Sequence, residues 1–518
     1  MHEAVQQALE HVFCNPQVLA IVAITAVYGV FMGAVPGLTA TMAVALLIPV
    51  TFFLGPIPAL AAVVTLEACA IFAGDIPNAL LRIPGTPSSA AYADDAYALT
   101  RTVGPDRTLG VCLTFSVAGG VFGTAMLAFF APQLAKIATW FTVAEYFWLY
   151  LLGLSCAVVV SRGSALRATL GLIIGLLLST VGLSAVHTQA RFTFGQAELF
   201  QGINFIPAMI GLFGVSEILR NVLTIDQRAD ESARGAVSTV EALGLLQRLV
   251  VRPIASVFGG AVSLLWRRKR HTLRSGVIGA FVGMLPGAGA DIGAWVSLAA
   301  SKRASKTPEK YGQGCLEGVG DATAANNSAL AGAWIPALVF GIPGDSITAI
   351  VIGVLLMKNV KPGPAIFEQQ ASLVYSVYFV FLLANLLLIP IGLLAIKVGG
   401  LVVRVPRRVL LPIILVFCMI GAFAINGSYF DVAIMLAMGL LGFGLERREV
   451  PLGPVVLGII LGGPLEERFI QTLTSSGGAV TAFFSRPLAA VLGLVCIAIW
   501  LTPPLLTVLS RRSGDKHT

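Results

Sequence analysis

An eleven-residue motif occurs twice in this chain, as IPNALLRIPGT at Ile76–Thr86 and as IPALVFGIPGD at Ile335–Asp345. Each copy holds two Ile-Pro pairs seven residues apart, the second pair is followed by glycine, and the copies stand 259 positions apart. A second motif repeats in the same order, because GAVPG at Gly33–Gly37 returns as GMLPG at Gly283–Gly287, 250 positions later. The chain is therefore an internal duplication whose two halves share one plan.

Composition places this duplication in a membrane. Hydrophobic residues make up 57% of the 518 residues and charged residues only 12%, about half the charged fraction of a soluble domain. A spanning helix needs about 20 apolar residues, so the chain has room for roughly 12 to 14 transmembrane or re-entrant helices. We predict an all-α polytopic membrane protein with two structural repeats and broken helices at the Pro-Gly motifs. We expect the repeats to be inverted, the usual plan for transporters with paired broken helices.

Charge and cysteine patterns exclude several functional classes. The net charge is +8, but the basic residues form short clusters between apolar runs, which indicates cytoplasmic loops and not a nucleic-acid surface. The seven cysteines are scattered without CxxC, so neither a disulfide framework nor a metal site is predicted. The chain has no HExxH or GxSxG motif, and we predict no catalytic residues and no enzyme activity.

The sequence suggests four segments. Residues 1–223 form the first transmembrane repeat, and residues 224–249 form a polar connecting segment. Residues 250–370 hold the motif region of the second repeat, and residues 371–518 supply the C-terminal transmembrane helices that complete it.

Each Ile-Pro-Gly element interrupts an apolar segment. Proline removes a backbone donor and glycine permits unusual dihedral angles, so the helix is expected to break there. A new half-helix then begins with open N–H groups and a partial positive charge, which suits a carboxylate. Hydroxyl side chains follow both breaks and can bind an oxyanion or Na⁺, or can simply cap the half-helices; they belong to Thr86, Ser88, Ser89, Ser346 and Thr348.

Ionisable residues within apolar segments are a second signal, because charge in the bilayer is costly and marks candidate functional sites. They are Glu67, Asp75, Arg82, Asp94, Asp95, Asp291 and Asp345. Arg82 can pair with Asp75, or it can remain free to bind a substrate carboxylate. Asp291 and Asp345 are candidate cation or proton sites, or helix-start carboxylates that face the helix dipole. Asp94 and Asp95 are consistent with a membrane exit.

Two adjacent amides, Asn326 and Asn327, precede the second motif within an apolar run. The 259-residue offset matches Asn326 to Glu67, so a polar group is expected at the same depth in both halves. These amides can form interhelical hydrogen bonds or contact a ligand directly.

These motifs resemble the large membrane subunit (TctA-like) of the tripartite tricarboxylate transporter family. The resemblance covers most of the chain and rests on long strings in a fixed order. They are IPNALLRIPGTPSSAA from Ile76, RFTFG from Arg191, LPGAGADIGAW from Leu285, EGVGDATAANNSALAGAWIPALVFGIPGDSITA from Glu317, KPGP from Lys361 and GAFAINGSYFDV from Gly421.

The resemblance implies a secondary active transporter of the bacterial inner membrane that imports di- or tricarboxylates by symport with Na⁺ or H⁺ and uses no cofactor. It implies a small membrane subunit (TctB-like) and a periplasmic binding protein (TctC-like) as partners. The substrate would follow the two Pro-Gly regions and contact Pro36, Gly37, Arg82, Gly85, Thr86, Ser88, Ser89, Pro286, Gly287, Gly289, Asn326, Asn327, Gly344 and Ser346. Ion coupling would fall to Asp75, Asp291, Asp345 and Thr348. A gradient-independent carboxylate channel or facilitator is the alternative.

Overall fold

The computed structural model describes residues 2–161, 164–184, 189–223, 257–287, 289–402 and 407–514. Within these ranges the fold is almost entirely helical. The α-helices are α1 His2–Leu9, α2 Pro16–Ala34, α3 Ala40–Phe52, α4 Pro56–Ala73, α5 Asp75–Leu81, α6 Ala93–Thr102, α7 Pro105–Ala138, α8 Val143–Val160, α9 Ala165–Ser179, α10 Phe205–Met209, α11 Ser216–Leu223, α12 Ala261–Arg267, α13 Lys269–Gly283, α14 Gly289–Ala304, α15 Leu316–Phe340, α16 Ser346–Met357, α17 Ile366–Gln369, α18 Ala371–Val402, α19 Arg407–Asn426, α20 Tyr429–Arg447, α21 Leu452–Ser475 and α22 Pro487–Gly514.

Short elements of other types complete the described ranges. Two π-helical stretches are Glu10–Cys14 and Ile210–Val215, and four 3₁₀ turns are Ser89–Tyr92, Ala197–Gln201, Pro308–Lys310 and Val480–Phe484. Strands β1 Gly182–Leu183 and β2 Ala190–Arg191 form an antiparallel pair in which Gly182 is opposite Arg191.

Eight described helical segments are long and apolar enough to cross a bilayer. They are Pro16–Ala34, Pro56–Leu81, Pro105–Ala138, Val143–Val160, Phe205–Leu223, Ala371–Val398, Val409–Asn426 and Tyr429–Arg447. Shorter apolar helices are Ala40–Phe52, Ala165–Ser179, Ser346–Met357 and Pro487–Leu501. Large apolar side chains such as Ile24 and Val27 are exposed on these helices, as expected for faces that meet lipid. The all-α polytopic membrane architecture is confirmed, and the inverted relation of the repeats stays a prediction.

The chain forms two compact units. The first contains Met1–Ala135, Ile206–Met284 and Gly289–Gly444, and the second contains Lys136–Phe205, Leu285–Ala288 and Leu445–Thr518. These units do not coincide with the two halves of the sequence, because each draws on both halves. The segment boundaries from the sequence stay a prediction, and the polar connecting segment 224–249 lies outside the described residues.

In the first unit, α2 packs closely against α4 because glycines on α2 face the α4 backbone. A Cβ added at Gly29 would lie 2.5 Å from the Leu66 carbonyl oxygen, and one added at Gly33 would lie 2.3 Å from the Ala70 carbonyl oxygen. Real Cβ atoms do not approach so closely. The GxxxG spacing therefore lets two backbones meet directly, as is common between membrane helices.

The second half repeats this contact between α13 and α15. A Cβ at Gly279 would lie 2.2 Å from the Ala325 carbonyl oxygen, and one at Gly283 would lie 2.2 Å from that of Ala329. The glycines are offset by 250 positions and their partners by 259 positions, as in the two sequence motifs. The duplication is thus preserved in the packing of individual atoms.

Gly283→Val is expected to lower the stability of the folded protein. The new side chain would displace the Ala329 backbone, and overpacking of a tight contact typically costs about 1–3 kcal/mol. The thermal midpoint of the detergent-solubilised protein measures the change. Gly463→Val is the matched control, because a Cβ at Gly463 meets nothing within 4 Å; equal midpoints for the two variants would contradict the packing argument.

The second unit is built mainly from α8, α9, α21 and α22. A Cβ at Gly175 would lie 2.1 Å from the Val455 carbonyl oxygen, which explains the close approach of α9 and α21. Trp148 donates through Nε1 to the Phe483 carbonyl oxygen at 2.7 Å. These contacts hold α8 and α9 against the C-terminal helices.

Candidate substrate and ion site

The first helix break follows α5. Arg82 adopts a left-handed backbone conformation, with φ of 59°, directly after Leu81. Its N–H donates to the Asn78 carbonyl oxygen at 3.1 Å, and the Ile83 N–H donates to that of Pro77 at 3.3 Å. These bonds satisfy carbonyl groups that the end of a helix leaves open. The second Ile-Pro pair therefore lies outside the helix, and the first lies within it.

The second break follows α15 and repeats this arrangement. Gly341 has a φ of 69° and its N–H donates to the Ala337 carbonyl oxygen at 3.1 Å, while the Ile342 N–H donates to that of Pro336 at 3.3 Å. Every donor and acceptor is displaced by 259 positions from its counterpart in the first break. The broken helices predicted at the Pro-Gly motifs are confirmed.

A reciprocal pair of hydrogen bonds follows each break. The Thr86 N–H donates to Ser89 Oγ and the Ser89 N–H donates to Thr86 Oγ1, each at 3.1 Å. The Asp345 N–H donates to Thr348 Oγ1 at 2.9 Å, and the Thr348 N–H donates to Asp345 Oδ1 at 2.7 Å. Both pairs are reciprocal capping arrangements. Asp345 and Thr348 thereby cap the start of α16, and Thr86 and Ser89 close the loop that leads into the 3₁₀ turn Ser89–Tyr92.

Both breaks approach the start of α14. Ser88 Oγ donates to the Ala290 carbonyl oxygen at 3.1 Å, and the Gly289 N–H donates to that of Gly344 at 3.2 Å. Two neighbouring residues of α14 therefore connect the two loops. The open N–H groups and positive dipole end of a 16-residue helix lie between them, which is chemistry that suits an anion.

Arg82 does not pair with Asp75. Its guanidinium forms an ion pair with Asp94 at 2.6 Å, and both side chains are largely exposed. Asp75 is buried and instead accepts a hydrogen bond from the Tyr92 hydroxyl at 2.6 Å. The exposed pair contributes about 0–1 kcal/mol, so a competing carboxylate can displace Asp94 at little cost.

Asp95 has a structural role that the sequence did not indicate. Its side chain is buried and Oδ1 accepts hydrogen bonds from the N–H groups of Gly312, Gly314 and Cys315 at 2.8, 2.8 and 2.9 Å. The membrane-exit interpretation of Asp94 and Asp95 stays a prediction, because burial within the protein does not fix the depth of a residue in the bilayer. Asp95 joins α6 of the first half to the loop that leads into α15.

The middle of each broken helix meets the break of the other half. Trp334 of α15 donates through Nε1 to Glu67 Oε2 of α4 at 3.1 Å, and Glu67 interacts electrostatically with Asp345 after the second break. Asn326 of α15 neighbours Tyr92, which follows the first break. Glu67 and Asn326 are equivalent by the 259-residue offset, so each half places an equivalent side chain beside the break of the other half.

The other residues predicted to contact substrate or ion are distributed over several helices and loops. Asn327 donates to Ser116 Oγ at 2.9 Å, which is the interhelical bond that the sequence left as one alternative. Pro36 is buried beside Gly37, whose carbonyl oxygen accepts from Asn221 at 2.8 Å. Two others lie at helix starts, Asp291 in the first turn of α14 and Ser346 at the start of α16. The last three lie between helices: Gly85, which packs on Gly74, and Pro286 and Gly287, which belong to the second unit.

Comparison with known proteins places this architecture in a family. An uncharacterized 52.8 kDa protein of Agrobacterium vitis, from the TAR-I ttuC′ 3′ region, is 35% identical over 484 residues, which cover 92% of each chain. A second uncharacterized protein of Agrobacterium vitis, from the TAR-II ttuC′ 3′ region, is 34% identical over 230 residues, or 44% of this chain and 95% of the relative. No solved structure matches. The profile of the tripartite tricarboxylate transporter TctA family matches residues 19–457, and the chain therefore belongs to this family.

Proposed function

We propose that this chain is the large permease subunit of a binding-protein-dependent secondary transporter that imports di- or tricarboxylates across the bacterial inner membrane. A Na⁺ or H⁺ gradient drives uptake. A TctB-like small membrane subunit and a TctC-like periplasmic binding protein complete the system. Membership of a tricarboxylate transporter family and eight candidate spans within the described ranges support this proposal.

The convergence of both breaks on α14 is the observation that favours a carboxylate path here. The Gly289 N–H donates to the Gly344 carbonyl oxygen and Ser88 Oγ donates to the Ala290 carbonyl oxygen. A small movement of the second loop would therefore free the Gly289 N–H, and a small movement of the first loop would free the Ser88 hydroxyl. A carboxylate would then accept hydrogen bonds from these donors. Arg82 supplies a cation at the end of the first break once its exposed bond to Asp94 exchanges.

Uptake into proteoliposomes tests the proposal. The large subunit is reconstituted with its small partner, the binding protein is added outside, and a panel of radiolabelled di- and tricarboxylates is supplied under an inward Na⁺ or proton gradient. We expect accumulation that requires the gradient and the binding protein. Equilibration without either requirement would instead indicate a channel or facilitator and would overturn the proposal.

A further inference from the structure

We propose that Glu67 is a proton-binding site, and that its proton is the ion that couples the gradient to carboxylate uptake. This inference rests on the proposed transport function and identifies the driving ion as a proton. The sequence pattern assigned coupling to other carboxylates. The surroundings of Glu67 carry the argument.

Glu67 is fully buried in α4. Trp334 donates to its Oε2 at 3.1 Å, whereas its Oε1 has no hydrogen-bond partner among the described residues. Within the same ranges no Lys, Arg or His forms an ion pair with it. An isolated ionised carboxylate is so costly in an apolar interior that the group takes up a proton instead. The unpartnered Oε1 is the oxygen to which that proton would attach.

Among the described residues, the helices that pack most closely against α4 carry one cation, Lys397. Helices α2, α3 and α16 contain no charged residue, and the charged residue of α18, Lys397, lies five positions before the end of that helix. The other titratable groups on these closely packed elements are Tyr28 on α2, Tyr375 and Tyr378 on α18, Glu317 and Asp321 on α15, and Asp75 on α5. Cys69 lies on α4 itself, and Cys112 of α7 belongs to the same buried cluster.

The acidic groups in this set are engaged elsewhere. Asp75 accepts from Tyr92, and Asp321 pairs with Arg268 at 2.9 Å. The neighbouring acidic group is Asp345, whose side chain is also buried. Two neighbouring carboxylates without a cation cannot both stay ionised in a buried site, so one proton between them is the simplest way to relieve their repulsion.

The ligand geometry favours a proton over Na⁺. Glu67 lies within the uninterrupted helix α4, whose backbone carbonyl groups are already bonded, and Trp334 directs an N–H donor towards the carboxylate. A hard metal cation needs several oxygen ligands, whereas a proton needs one. In each cycle Glu67 would take a proton from the outer solution, lose its charge, and release the proton to the cytoplasm; no other bond forms or breaks.

Glu67→Gln tests the inference, because glutamine imitates a permanently protonated side chain. In the reconstituted complex with binding protein, we expect the variant to lose accumulation driven by a proton gradient. Exchange of labelled for unlabelled substrate should continue, since exchange needs no net proton movement. Glu368→Gln is the matched control, because Glu368 is an exposed carboxylate and its variant should behave like wild type. Full proton-driven accumulation by Glu67→Gln would overturn the inference, as would wild-type accumulation driven by Na⁺ alone.

Labelling by a hydrophobic carbodiimide supplies an independent readout. The reagent attacks protonated carboxyl groups in apolar surroundings, so peptide mass spectrometry should find wild-type Glu67 modified at low pH and protected at high pH. Absence of modification at every pH would overturn the inference even if Glu67→Gln fails to fold. If wild-type protein accumulates no carboxylate under any gradient, the transport proposal falls, and labelling still decides whether Glu67 binds a proton.

Discussion

Gly344→Leu is expected to reduce carboxylate accumulation to background while the protein still reaches the membrane. A Cβ at Gly344 would lie 2.7 Å from both the Gly283 carbonyl oxygen and the Ala333 Cβ. The loop would have to shift, and its carbonyl would lose the Gly289 N–H. A displacement of about 1 Å in a positioned site can cost roughly a hundredfold in rate.

The control for this variant is Gly444→Leu. A Cβ at Gly444 meets nothing within 4 Å, so this substitution adds the same side chain to an open surface. Uptake by both variants is normalised to their amounts in the membrane. If Gly344→Leu transports as well as Gly444→Leu, the second break is not part of the substrate path.

Two substitutions of Asp345 are expected to separate its charge from its capping role. Asparagine keeps an oxygen that can accept from the Thr348 N–H, so Asp345→Asn should retain the thermal stability of the wild type. Its gradient-driven accumulation should nevertheless fall to near background, because the negative charge beside Glu67 is gone. Asp345→Ala removes the cap as well and should cost about 1 kcal/mol of stability.

Thermal midpoints and uptake are measured on the same preparations of these two variants. Glu309→Gln serves as the control for charge loss, because Glu309 is exposed in a short 3₁₀ turn. A fully active Asp345→Asn would show that the carboxylate is only a helix cap. Equal stability of Asp345→Ala and wild type would show that the cap contributes little.

The sequence predicted the helical architecture and both breaks, because their causes are local. Proline followed by glycine at the second Ile-Pro pair of each motif disfavours a continued helix, so helix ends near Arg82 and Gly341 could be expected. The 259-residue offset also predicted that Glu67 and Asn326 occupy matching positions. Local rules and internal symmetry were therefore enough for these features.

Side-chain partners were harder to predict because they join distant parts of the chain. The bond from Trp334 to Glu67 spans 267 positions, and nothing near either residue indicates the other. The sequence offers Asp75, seven residues away, as a partner for Arg82, yet Arg82 has a left-handed backbone and its guanidinium pairs with Asp94. Long-range packing decides such choices, and a single sequence does not reveal it.

The bonds between the two halves also have a consequence for biosynthesis. The N–H groups that bond to Asp95 are synthesised 217 to 220 residues after it. The tryptophan that bonds to Glu67 is synthesised 267 residues after it. At 5–20 residues per second, this delay is about 10–50 seconds. The first half must therefore remain in the membrane with acidic groups unsatisfied until the second half is translated. During that interval we expect the nascent chain to depend on insertion factors and to be most vulnerable to proteolysis.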